Sequence, residues 1–91
     1  MKAIPMEVGR LVRSLAGRDA GRLFVVTQVL DAEFVLVCDG GLRTLARPKK
    51  KRVKHLRALC ARMEAFSAGT GIEDHQLRRW IREEEGKLVQ V

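Results

Sequence analysis

The side chains of this chain that could do chemistry are mostly cations, and two short segments concentrate them. The first is Gly17-Arg18-Asp19-Ala20-Gly21-Arg22, where two glycines four apart bracket a turn and arginines flank it. Glycine reaches positive φ without strain, so such a loop lets backbone N–H groups approach a phosphate with no Cβ in the way. Arg18 and Arg22 can add bidentate hydrogen bonds to phosphate oxygens. Asp19 would repel phosphate, and its expected task is to accept backbone N–H groups that fix the turn. The second segment runs from Arg47 through Pro48 and Lys49-Lys50-Lys51-Arg52 to Lys54. Four consecutive like charges repel one another, so a partner anion would stabilise this loop. Each segment also has a plainer reading, a tight turn with solvated arginines or a solvated charge run. The basic run resembles a nuclear import signal as well, but its place between two expected strands favours contact with a polyanion. Arg10, Arg13 and Arg43 extend the positive surface if their strands present them outward. Arg10 and Arg13 are three apart, so a regular strand points them to opposite sides.

Little else offers reactive chemistry. Cys38 and Cys60, with His55 and His75, lack the paired spacing of a zinc site and make no disulfide framework. They read as small thiols, buried or half-buried. Neither cysteine has an evident base beside it, and no phosphate-loop or dinucleotide signature is present. The chain is expected to be non-catalytic and to need no cofactor. It has no tyrosine, and Phe24 and Phe34 fall inside strand patterns and are assigned to the core. Sequence-specific readers of single strands display stacking aromatics, so their absence points to phosphate and shape recognition of folded nucleic acid.

The net charge of +7 over 91 residues is unevenly spread. Residues 1–62 hold 14 Lys/Arg against five Asp/Glu, whereas residues 63–91 hold four against six. The polyanion-facing part is thus the first two-thirds, and RNA, DNA and anionic lipid all remain open on composition. The length suits one domain, and the apolar fraction of 46% argues against wholesale disorder. No apolar run approaches the roughly 18–20 residues of a membrane span, and the first residues lack a secretory h-region. A cytoplasmic protein without membrane partners is expected.

The elements that position these groups are mostly strands. Met6–Ser14 reads as a first strand, Arg22–Leu30 as a second and Glu33–Cys38 as a third, the last apolar on both faces and therefore central. Asp39-Gly40-Gly41 is a hairpin signal. A short fourth strand is expected over Arg43–Arg47 and a fifth from Val53 to about Leu59. Five short strands with turns between them, and no room for a crossover helix, indicate a small antiparallel barrel. The period then changes. Thr70-Gly71-Ile72-Glu73 matches a capping box, and Leu77, Trp80 and Ile81 follow at helical spacing, with Gly86 as a stop. Residues 60–68 suit another short helix. Trp80, Leu77 and Ile81 read as the face by which the tail helix docks on its own barrel.

In order, Val8 to Val26 (VGRLVRSLAGRDAGRLFVV) resembles a KOW motif, a strand, a glycine-bounded loop and a second strand, with Gly21 as the defining glycine. Asp31 to Arg43 and Arg47 to Leu56 extend the match, and together they resemble bacterial KOW-domain proteins akin to a large-subunit ribosomal protein of archaea and eukaryotes. The resemblance covers about residues 6–56. It implies a mainly β, five-stranded SH3-like (KOW) barrel over residues 5–59; the C-terminal helical extension expected over residues 60–91 rests on the change of period alone, since the tail after Leu59 departs from the family. It also implies structured RNA, ribosomal RNA of the large subunit, as partner, with contacts to ribosomal proteins. The RNA-facing positions it implies are Gly17, Arg18, Gly21 and Arg22 in the loop, with Arg47, Lys49, Lys50, Lys51, Arg52 and Lys54; Arg43 joins them on charge. The alternative is a protein-interaction module built from the barrel and the tail helix.

Overall fold

The computed structural model describes residues 4–67 and 71–89. Strands β1 (Arg10–Ser14), β2 (Leu23–Val29), β3 (Phe34–Cys38), β4 (Lys49–Arg52) and β5 (Leu56–Arg62) are followed by helices α1 (Glu64–Ser67) and α2 (Asp74–Val89). The strands form one antiparallel sheet in the order β4-β3-β2-β1-β5. Irregularities between Arg10 and Val12 on the β1–β5 ladder, and between Val26 and Gln28 on β2–β3, bend the sheet. A 3-10 turn at Val53–His55 carries the chain from one edge strand to the other. No ladder joins β4 to β5 among the described residues, so the sheet curls without closing. The architecture is mainly β, that of a small SH3-like barrel.

Strands β1 to β3 are apolar on both faces because both faces are covered. Val12, Phe24, Val26, Val35, Val37 and Leu56 pack together inside the curl. The alternate residues Leu11, Leu23, Val25 and Cys38 face the other way and pack with Leu77 and Ile81 of α2. Trp80 is half-buried against that second cluster. The tail helix therefore docks on its own sheet, as its spacing predicts. Among the described residues no helix is long and apolar enough to cross a membrane.

Several boundaries differ from the sequence reading. The first strand starts at Arg10 rather than Met6. Residues 43–47 do not form a strand, because their backbone N–H groups are claimed elsewhere. Asp39 Oδ1 accepts from Gly41 and Arg43, and Asp74 Oδ1 accepts from Leu45 at 2.8 Å. The fourth strand is instead the basic run itself, with Lys49 paired to Val37 and Arg52 to Phe34. The fifth strand starts at Leu56, after the 3-10 turn, and runs to Arg62, leaving only Glu64–Ser67 helical among the described residues of the segment expected to be a short helix.

Thr70 of the expected capping box lies outside the described residues. The α2 start sits at Asp74, where the Glu73 N–H donates to Gln76 Oε1 at 2.9 Å. That is the back-reaching half of a capping box, three residues further along. Gly86 does not stop the helix. A single glycine costs a helix only about 1 kcal/mol, and the Glu84–Lys87 pair at 2.9 Å ties the turns around it together.

Candidate nucleic-acid interface

The two cationic segments meet. The loop between β1 and β2 contains a 3-10 turn at Gly17–Asp19, with Gly17 at φ +75° and Gly21 at φ +89°. These values lie in the region glycine tolerates, and a Cβ at either position would meet nothing within 4 Å. The glycines thus shape a loop that is open on the side where a Cβ would stand. Gly21 N–H donates to Ser14 O and Ser14 N–H to Arg22 O, closing the loop at its base.

Asp19 joins this loop to β4. Its carboxylate lies 2.9 Å from Lys49 Nζ and 3.5 Å from Lys51 Nζ, and its side chain is only 13% exposed. The expected role in accepting turn N–H groups is therefore corrected: Asp19 is the internal counterion of the basic strand. The hydrogen-bonded Lys49 ammonium holds its carboxyl below the usual carboxylate range; burial pushes the other way, and Lys51 adds to the lowering.

Strand alternation sorts the four cations of β4 into two pairs. Lys51 is 10% exposed and donates to Ser14 Oγ at 3.2 Å, so with Lys49 it turns towards the loop. Lys50 and Arg52 are exposed on the opposite face, over the Phe34 ring at 4.4 and 5.2 Å from its centroid. Phe34 is accordingly half-buried beneath two cations, outside both hydrophobic clusters. Only Phe24 of the expected pair is in the core, fully buried.

The other cations divide in the same way. Arg18, Arg47 and Lys54 are exposed, and among the described residues they have no ion-pair partner. Arg22 is half-exposed, 3.7 Å from Asp39 Oδ2. Arg43 is half-buried in the 39–47 connection, where its carbonyl accepts from Asp39 and Gly40. Arg10 is not part of any positive surface. At 7% exposure it donates to the carbonyls of Pro5, Leu59 and Cys60 and pairs with Glu7, fastening the N-terminal segment to β5. Arg13 stands directly opposite Arg57 on β5. Like charges facing across a ladder are unfavourable without an anion between them, and sequence reasoning missed Arg57 because that register is long-range.

The thiols differ from expectation in one respect. Cys38 is buried, with its Sγ–H donating to Thr44 O at 3.2 Å, and burial pushes its pKa up to about 11. Cys60 is exposed rather than half-buried. No group of three or more His, Cys, Asp or Glu side chains suited to a metal ion occurs among the described residues.

The chain that carries this arrangement has relatives in sequence. Over 76 residues the chain is 35% identical to the large ribosomal subunit protein eL14 of Staphylothermus marinus, covering 84% of this chain and 76% of the relative. The chain belongs to the eL14 family of large ribosomal subunit proteins. The eL14 proteins of Metallosphaera sedula and Hyperthermus butylicus are 32% and 30% identical to it. These matches cover 87% and 86% of this chain and 79% and 76% of the relatives. No family model matches. All three alignments are long enough to reach into the tail beyond the barrel, for which the sequence alone offers no resemblance.

Proposed function

We propose that this chain is a non-catalytic, cytoplasmic component of the large ribosomal subunit that docks on structured ribosomal RNA through phosphate contacts. The supporting observation is the convergence of the Gly17–Arg22 loop with β4, in a chain whose relatives are large-subunit proteins. Val8 to Val26 acts as the KOW motif it resembles. Gly17 opens the loop backbone to phosphate, Gly21 shapes the turn with its N–H held on Ser14 O, and Arg18 and Arg22 clamp the oxygens. Lys50, Arg52, Lys54, Arg47 and Arg43 continue the positive surface. Lys49 and Lys51 serve it indirectly by holding the loop through Asp19. In this reading the barrel, residues 5–59, carries the principal contacts, while the end of β5 and helix α2 complete and cover the sheet. The tail helix is no free handle for a protein partner, because Leu77 and Ile81 are spent on the core.

Binding to purified large-subunit ribosomal RNA across a salt titration tests this. Each phosphate neutralised contributes roughly −0.7 to −0.9 to the log–log slope, so five or six contacts give about −4 to −5. The triple variant Arg18→Ala/Lys50→Ala/Arg52→Ala is expected to flatten that slope by roughly two to three while remaining folded. A wild-type affinity independent of salt, or an unchanged slope in the variant, overturns the proposal.

A further inference from the structure

The linear charge pattern assigns the acidic tail, residues 63–91, to some task away from the polyanion. Folding rearranges that pattern. Helix α2 lies along the sheet so that one of its faces borders the β1–β2 loop, and between them is an open cleft of about 310 Å³. Its lining includes Gly21, Arg22 and Asp39 from the sheet and its loops, and Arg78, Arg82 and Glu85 from α2. Arg78 and Arg82 are one helical turn apart and so present their guanidinium groups along the same face, with Arg22 across from them.

The wall is rigid where it matters. Gly40, at φ +79°, packs so closely under α2 that a Cβ there would collide with the Asp74 carbonyl oxygen and crowd the backbone N of Arg78. Arg78 Nη1 donates to the Gly40 carbonyl at 3.2 Å, and Asp74 Oδ1 accepts the Leu45 N–H. These contacts fasten the first turns of the helix to the 39–45 connection and fix where Arg82 emerges. Arg82 is exposed and has no hydrogen-bond or ion-pair partner among the described residues.

We infer that this cleft is a second phosphate seat for the same RNA, formed by Arg22, Arg78 and Arg82; it rests on the RNA-docking reading above. Three guanidinium groups face two carboxylates: Asp39 accepts the N–H groups of Gly41 and Arg43 through Oδ1 at 2.9 and 3.0 Å and stands 3.7 Å from Arg22 through Oδ2, so the cleft keeps an excess of one cation. An anion with several acceptor oxygens suits paired guanidinium forks. The cleft is open along its length and shares Gly21 and Arg22 with the loop. A backbone of regularly spaced phosphates can therefore pass from loop to helix without a break. That continuity favours RNA, whose phosphates recur at regular spacing, over an acidic protein segment.

The test is Arg82→Glu in the full chain, with purified large-subunit ribosomal RNA as probe, alongside Arg18→Ala/Lys50→Ala/Arg52→Ala. The exposed Arg82 can change without loss of fold, which thermal unfolding checks. The inference expects Arg82→Glu to weaken binding roughly tenfold and to flatten the salt slope by about one contact. It also expects that loss to add to the loss in the triple variant. Normal RNA binding by Arg82→Glu, with the triple variant impaired, overturns the cleft and leaves the docking reading intact. Wild-type binding that ignores salt removes the docking reading itself. Normal binding to naked RNA but weakened association of Arg82→Glu with whole large subunits would assign the cleft to a protein and overturn the inference.

Discussion

The two faces of β4 carry the same kind of residue and do opposite things. Lys49 and Lys51 turn towards the loop, where Asp19 and Ser14 hold them, and the one carboxylate of Asp19 offsets part of their charge. Lys50 and Arg52 turn outward over Phe34, and their charge is left to whatever approaches. A run of four cations is thus half structural and half available, and the division follows from strand periodicity alone. The inner pair makes the outer surface possible, because it locks the glycine-shaped loop beside the strand that presents the free cations.

The largest separation between the two faces should appear in stability. Lys51→Ala removes a nearly buried donor from Ser14 Oγ and a counterion from Asp19, an expected loss of about 1–3 kcal/mol. Lys50→Ala removes only an exposed cation–π contact, about 0.5–1 kcal/mol. Urea unfolding of both variants reads the difference. A Lys50→Ala cost as large as that of Lys51→Ala would erase the distinction.

A smaller effect sharpens the same point through pH. Asp19 has its pKa lowered in the folded state, so the stability it contributes is present above its unfolded value near ~3.9 and is lost as pH falls through the folded value. The urea midpoint of the wild type should therefore fall more steeply below about pH 4 than that of Asp19→Asn, which has no carboxyl to protonate. Parallel curves in that window would mean that the Asp19–Lys49 contact does not couple to folding.

Much of the fold was legible in the residues, and the failures share a cause. Strands β2 and β3 announce themselves because Leu23–Val26 and Val35–Cys38 are apolar on both faces, and the structure covers both faces. The docking of α2 was legible in the spacing of Leu77 and Ile81. Strand β4 was not, since its inner positions are filled by lysines with a private counterion thirty residues away, leaving no hydrophobic alternation to read. Arg43–Arg47 misled in the opposite direction. Its composition suits a strand, but Asp39 and Asp74 capture the N–H groups a ladder would need. The candidate site was legible as two segments, while their junction through Asp19 and the arrival of Arg78 and Arg82 beside Arg22 depend on contacts that no local pattern encodes.

The most direct test of the account is sedimentation of the tagged protein from cell lysate through sucrose gradients at low and then moderately high salt. The account predicts co-migration with the large ribosomal subunit at low salt. It also predicts release at a lower salt concentration for Arg18→Ala/Lys50→Ala/Arg52→Ala than for the wild type. Wild-type protein that stays at the top of the gradient even at low salt would contradict it.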